Sequence, residues 1–333
     1  MPLVHANADP RQIASGRRSI KGVFGGIKGF WKTEFSVYGG PDIGRHAIHT
    51  PFHLSRPLAR STAVIFASPH SGRDYPGAFL QQAALDEHEI RSSEDAFIDL
   101  LFGSAPQHGA AFLSATAARA FIDLNRAPEE LDPALIEGVR RAAHNPRIAS
   151  GLGVIPRVVA NGRPIYRGKI GLDEAQGRID SYWRPYHAQL QALLDESHAQ
   201  FGQAILIDCH SMPHEALENL GPPGSLRPDV VLGDRFGAAA AASVVDQIEA
   251  AFQRAGLRVV RNMPFAGAYI TQHYGRPIRR QHAVQIEIDR GLYMNERSIR
   301  PSAGYDGFRV LLDGVIGELA GIGRVEGLRV AAE

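Results

Sequence analysis

The sequence predicts an α/β fold, a single domain whose central sheet is covered by helices on both faces. Three observations lead there. From Ser61 onward, apolar runs of strand length alternate with segments whose apolar residues recur every three to four positions. Strands alternating with helices build one sheet with helices on both sides. No repeat and no linker-like composition interrupts the chain after Ser61, so one domain accounts for it.

Residues 1–50 stand apart as an N-terminal extension. RRSIKGVFGGIKGFWK (Arg17–Lys32) is basic and glycine-rich, with Phe24, Phe30 and Trp31 spaced along it. A membrane surface or an anionic partner is conceivable, but this glycine density disfavours an amphipathic helix. The adopted reading is an extended arm that packs on the domain or on a second subunit. STAVIFASPH (Ser61–His70) is a buried-strand run ending in Pro and His. PGAFLQQAALDEHEI and EDAFIDLLFGSA have helical spacing, while AAFLSA and RAFIDLN read as short strands or strand ends. Asp132–Gly177, rich in Gly, Pro and Arg with little periodicity, is expected to run over the surface, and long excursions in compact domains are often functional. An amphipathic helix follows from about Ile179 to Phe201. AILIDCH and DVVLGD are strands, AAAAASVVDQIEAAFQRAG is a helix closed by glycine, and LRVVRN and HAVQIEIDRG are strands. The last helix spans roughly Gly304–Gly321.

Composition narrows the function classes. The 333 residues suffice for a full core, and 44% apolar with 21% charged residues is ordinary for a soluble globular protein. Lysine plus arginine number 36 against 35 acids, which argues against a broad nucleic-acid surface. One cysteine excludes an intrachain disulfide framework and suits a reducing cytoplasm. No secretory signal appears, and no apolar run approaches the ~18 residues that span a bilayer. The expectation is a cytoplasmic protein with no nucleic-acid or membrane partner.

Chemistry in α/β sheets collects where strands end. The polar residues there are His70, Ser71, Gly72 and Asp74; Asp123, Asn125 and Arg126; Asp208 and His210; and Glu287 and Asp289. Two histidines closing apolar runs, with a carboxylate as third ligand and water as fourth, would make an open zinc site. A metal there lowers the pKa of bound water toward ~7, and a nearby carboxylate can take its proton. A lone strand-end histidine is more often a satisfied loop residue; a pair with a strand-end glutamate shifts that balance. Cys209 and His210 are neighbours on a strand, so their side chains point to opposite faces and make a poor dyad. Cys209 is better read as a small packed residue. No G-x-S-x-G elbow occurs, and GLGVIP lacks the third glycine of a dinucleotide loop. In DLNRAP, Arg126 can grip a carboxylate through two parallel hydrogen bonds with Asn125 adding a donor, and a second arginine near the metal could meet an oxyanion.

SPHSGRDYP, DLNRAP, ILIDCHSMP, GAYITQHYGRP (Gly267–Pro277) and HAVQIEIDRGLYM together resemble the N-formylglutamate amidohydrolase (N-formylglutamate deformylase) family, from about Pro51 to near the C-terminus. One such motif is weak; five in the family's order are specific. The resemblance implies a fold similar to zinc carboxypeptidases and aspartoacylases, a mixed sheet flanked by helices, over residues 51–333. It implies a hydrolase that cleaves the N-acyl amide of a small-molecule amino-acid derivative, typically N-formyl-L-glutamate in histidine breakdown, with one Zn2+ per chain. Carried across, His70, Asp95 and His210 become zinc ligands and Glu287 the general base. Arg119 resembles the arginine facing the oxyanion, and Asn125 and Arg126 the pair holding the substrate carboxylate. The H-x-x-E spacing of the related peptidases fails, because position 73 is Arg. The third ligand is therefore sought elsewhere: Asp95 in SSEDAFIDLLF resembles an aspartate that the family places on the helix after the HSG loop and is preferred, with Asp74, closer in sequence to His70, as the alternative. Tyr269, Thr271, His273 and Tyr274 match the substrate-side loop. Arg157, Arg167 and Arg276 are candidates for reading the substrate side chain only because they lie beside family motifs. Another N-acyl amino acid or a small peptide is the competing substrate. A binding protein that kept the fold and lost the chemistry is the competing class, opposed by the presence of both histidines and Glu287.

Overall fold

The apolar runs become the middle of one seven-stranded mixed sheet. The computed structural model describes residues 50–140, 145–218 and 227–324; the expected arm, apart from Thr50, lies outside them. In chain order the elements are β1 (Phe52–Ser55), β2 (Val64–Ser68), α1 (Gly77–Gln82), α2 (Ile98–Leu101), β3 (Ala111–Ala115), α3 (Pro146–Ala149), α4 (Leu172–Arg178) and α5 (Arg184–Phe201). Then follow β4 (Ala204–Met212), β5 (Val230–Gly233), α6 (Ala242–Arg254), β6 (Val259–Arg261), α7 (Tyr269–Tyr274), β7 (Gln281–Asp289), β8 (Met294–Asn295), β9 (Arg300–Pro301) and α8 (Tyr305–Ile322). The sheet order is β1-β3-β2-β4-β7-β5-β6, with β8 and β9 forming a separate pair. β3, β2, β4 and β7 run parallel; β1 is antiparallel to β3 and β5 antiparallel to β7.

Both faces of the sheet are buried. Leu206 of β4 and Ala283 of β7 join the cluster under α4 and α5, with Leu190, Leu193 and Leu194. Ile207, Cys209, Val284 and Ile286 join the opposite cluster under α6 and α8, with Val245, Ile248, Leu312 and Ile316. Period-two alternation thus sends Cys209 into one apolar layer and His210 to the other face, as expected.

Four expectations on secondary structure are corrected. RAFIDLN is not a strand. Asp123 Oδ1 accepts from the Asn125 N–H at 2.8 Å, an Asx turn that competes with extended pairing, and the Asp123 N–H donates to Val154 O at 2.8 Å. The helical pattern after Pro76 yields only the short α1, because Ala83 leaves to bridge Tyr166 and the Ala84 N–H donates to Ile165 O at 2.7 Å; the next yields only α2. The helix expected from Ile179 begins at Leu172 and passes through a wide π turn at Ile179–Trp183 before α5. Pro185 follows that turn and lacks the N–H a regular helix would use. β1 and α7 had no counterpart among the expected elements.

Candidate active site

Register brings the functional strands together. β4 and β7 are parallel with His210 opposite Glu287 and Asp208 opposite Gln285, so all four side chains share one face. β2 lies on the other side of β4, with Ala67 opposite Asp208, and the SPHSG turn at its end delivers His70. That turn is seated by backbone hydrogen bonds, Asp74 N–H to Thr116 O at 2.9 Å and Ala118 N–H to Asp74 O at 3.2 Å. Asp95 enters from the loop before α2, where its N–H donates to His70 O at 3.0 Å. Asp74 is exposed and is not among the converging ligand residues.

His70, Asp95 and His210 offer ligand atoms that all lie within 4.8 Å of one another, and all three residues are buried. Asp95 Oδ2 is 2.9 Å from His210 Nδ1 and 3.6 Å from His70 Nδ1. His70 Nδ1 is buried with no hydrogen-bond partner. Its Nε2 donates to Asp123 Oδ1 at 2.7 Å, which leaves a lone pair on Nδ1 directed toward Asp95. An orphaned imidazole nitrogen, a second imidazole and a carboxylate around one point fit a metal ion. Asp95 is further fixed by Arg290, whose Nη2 donates to Oδ1 at 3.0 Å.

The electrostatics agree with a cation site. Burial opposes ionising Asp95, but the hydrogen bond with His210 and the nearness of both histidines outweigh it and hold the carboxyl well below the usual range. Burial likewise opposes charging His210, and the carboxylates around it, Asp208 foremost with Asp95 and Glu287, raise its pKa well above the usual value. Asp208 Oδ2 is 3.1 Å from His210 Nε2 but poorly aligned, so neither Asp208 oxygen has a hydrogen-bond partner. Burial pushes Glu287 up to about 7 against the pull of His210, with Asp95 adding to the rise. Its Oε1 accepts from Gln285 Nε2 at 2.6 Å.

These groups open on one cavity of about 650 Å3, lined by His70, Arg119, Asn125, Arg126, His210 and Glu287. The α5 side holds the DLNR loop by its carbonyls. Trp183 Nε1 donates to Arg126 O and His187 Nε2 to Leu124 O, at 2.9 and 2.8 Å. Burial lowers His187 to about 3, so it stays neutral and its Nδ1 accepts from Tyr274 Oη at 2.8 Å. Asn125 accepts the Ile270 N–H on Oδ1 at 2.7 Å, and its Nδ2 lies 3.2 Å from His210 Nε2. Its amide is therefore committed beside the histidine. Arg126 donates to Leu152 O and Asn125 O, leaving Nη2 for another acceptor. Arg119 Nε donates to Asp123 Oδ2 at 3.1 Å.

The other expected substrate contacts fall outside this cavity. Gly267 and Ala268 line it, whereas Tyr269, Thr271, His273 and Tyr274 do not. Arg157 is paired with Asp132 at 2.9 Å, and Arg276 donates to Gln272 O and Gly275 O. Neither these nor Arg167 lines the cavity; Arg147 and Arg290 do. Sequence reading missed both. Arg290 directly follows the QIEID strand and could have been found there; nothing in the Asp132–Gly177 segment marks Arg147.

Fold, site and relatives together define a hydrolase of linear amide C–N bonds. The chain belongs to the N-formylglutamate amidohydrolase family, whose sequence profile matches residues 62–294. Two proteins named N-formylglutamate deformylase are similar to it. The one from Pseudomonas putida is 30% identical over 240 residues, spanning 70% of this chain and 82% of that protein. The one from Pseudomonas aeruginosa is 30% identical over 242 residues, spanning 71% and 83%. Among solved structures, the N-formylglutamate amidohydrolase of Ralstonia eutropha JMP134 matches with TM-score 0.76 and 35% identity, covering 82% of this chain and 98% of that one. An Agrobacterium tumefaciens protein, 16% identical, shares the fold at TM-score 0.58 over 82% of this chain and 94% of its own.

Proposed function

We propose that the protein is a zinc-dependent deformylase that hydrolyses N-formyl-L-glutamate to glutamate and formate. The observation that carries this is the convergence of His70 Nδ1, Asp95 and His210 Nδ1, the two histidines lining the cavity that also holds Glu287 and Arg126. Those three residues would hold one zinc ion per chain, which when bound polarises the acyl carbonyl and acidifies water. Glu287 accepts the proton of the attacking water and returns it to the amide nitrogen as the C–N bond breaks. Its raised pKa suits both halves of that exchange. Arg119, held by Asp123 against the metal site, faces the oxygen on which negative charge develops. Arg126 binds the amino-acid carboxylate through its free Nη2 and Asn125 keeps His210 in place, so binding energy remote from the reacting carbon orients the amide. Residues 51–333 form the hydrolase domain, 1–50 an extension, and the buried single cysteine suits a cytoplasmic setting.

The cavity volume favours a second reading, in which a larger N-acyl group or a short peptide is the substrate. The test is metal analysis of the purified protein, with formate and amine release measured across N-formyl-Glu, other N-formyl amino acids and N-acetyl analogues. Preferred turnover of N-formyl-Glu by a zinc-containing protein supports the proposal. Equal turnover of all formyl substrates removes glutamate specificity, and a metal-free protein that zinc does not activate removes catalysis.

A further inference from the structure

Four arginines line the cavity: Arg119, Arg126, Arg147 and Arg290. Two are spoken for by acids, Arg119 by Asp123 at 3.1 Å and Arg290 by Asp95 at 3.0 Å. Among the described residues no carboxylate pairs with Arg126 or Arg147. Both line the wall of the same cavity; burial lowers the pKa of Arg126, Asp123 opposes that, and the charges of Arg119 and then Arg147 add to the lowering. Like charges brought together at a cavity wall cost free energy unless an anion joins them. Arg126 is buried and anchored to backbone carbonyls. Arg147 is half-buried on α3, an element fixed at its start by Asn145 Oδ1 accepting from the Arg147 N–H at 2.9 Å. Asn145 Nδ2 in turn donates to Glu130 Oε2 at 3.4 Å. The placement of Arg147 is thus set by its backbone, and its guanidinium is left free for a ligand.

We infer that Arg147 is the specificity-determining residue for a dicarboxylic substrate, binding the side-chain carboxylate while Arg126 binds the α-carboxylate. This rests on the proposed N-acyl amino acid hydrolysis and adds the residue that selects the acidic side chain. A guanidinium takes a carboxylate through two parallel hydrogen bonds, so a neutral isostere such as a carboxamide keeps its shape but loses the charge-assisted pairing. The Asp132–Gly177 excursion then has a purpose: it carries a cation to the cavity from outside the sheet, where the metal and base reside.

The experiment compares Arg147→Met with wild-type enzyme on N-formyl-L-glutamate and on N-formyl-L-glutamine. The variant should lose about 10- to 100-fold in kcat/KM on the glutamate substrate, mostly through KM, as expected for one charged hydrogen-bonded contact. Its kcat/KM on the glutamine substrate should match that of wild type, which also shows that the variant is folded and metal-loaded. Arg147→Lys should recover part of the lost kcat/KM. Equal losses on both substrates, or no loss on either, would overturn the assignment of Arg147 while leaving the deformylase reading intact. A wild-type enzyme, zinc-loaded, that turns over neither substrate would overturn both.

Discussion

Replacing Gly72 by alanine asks whether the SPHSG turn is shaped to present His70. A Cβ at this position would stand 2.2 Å from the Ala117 carbonyl oxygen and 2.6 Å from both the carbonyl carbon and oxygen of Thr116. All three atoms are backbone, so no rotamer change relieves the clash. The turn must lift from residues 116–118, to which two hydrogen bonds tie it, Asp74 N–H to Thr116 O and Ala118 N–H to Asp74 O. Overpacking of this kind costs ~1–3 kcal/mol, and two broken or strained backbone hydrogen bonds add about 1 kcal/mol each. The total of roughly 3–5 kcal/mol corresponds to a fall in melting temperature on the order of 10 °C. His70 lies two residues upstream, so zinc affinity, read by competition with a chelator at a temperature where the variant is folded, should fall as well. A variant that melts within ~2 °C of wild type and competes equally for zinc would refute the claim that this glycine lets the turn close on residues 116–117.

Four further substitutions probe the same site. Cys209→Ala removes a side chain from the layer under α6 and α8, so it should lower stability and leave turnover nearly unchanged, whereas His210→Ala should lose the metal; parallel thermal melts, metal analysis and assays decide, and the reverse pattern would sink the zinc reading. Glu287→Gln should retain zinc and lower kcat by orders of magnitude, since an amide cannot accept the water's proton; full turnover would remove it as base. Asp208→Asn replaces the carboxylate beside His210 Nε2 with an isosteric amide and should weaken zinc binding by about 10- to 100-fold with little change in melting temperature of the metal-free protein. Unaltered zinc competition would show that Asp208 does not orient the ring.

The strands and their ends were legible because their signal is local. STAVIFASPH, ILIDCHSMP and HAVQIEIDRG each carry a buried run and then a polar residue, and the sheet sets those residues side by side. The DLNR segment was legible as chemistry and misread as structure: Phe121, Ile122 and Leu124 are buried in a loop, and apolar content alone does not distinguish a strand from a loop whose polar side chains replace ladder pairing. Asp95 came from family resemblance; its placement depends on a backbone hydrogen bond to His70, a contact that spacing in SSEDAF does not reveal. Arg147 could not be read at all. Its meaning lies in which arginines find acids and which do not, and that is a property of the folded cavity.

The charges around this cavity favour a divalent ion and a doubly charged substrate on grounds independent of any relative. Asp95, Asp123, Asp208 and Glu287 are all buried. Arg290 answers the first and Arg119 the second; among the described residues Asp208 and Glu287 have no arginine or lysine partner. Unpaired buried carboxylates are costly to ionise, and Glu287, pushed up to about 7, is only partly ionised near neutrality. A dication among the three converging ligand atoms would balance those two charges and restore the ionised form that a proton acceptor needs. Arg126 and Arg147 are the opposite surplus, two cations that form no ion pair among the described residues, and the two carboxylates of N-formylglutamate match them. Calorimetry on the chelated protein should therefore still detect N-formylglutamate while turnover is lost, because neither arginine is among the metal ligands. Binding that disappeared with the metal would show that the two arginines do not suffice to hold the dianion.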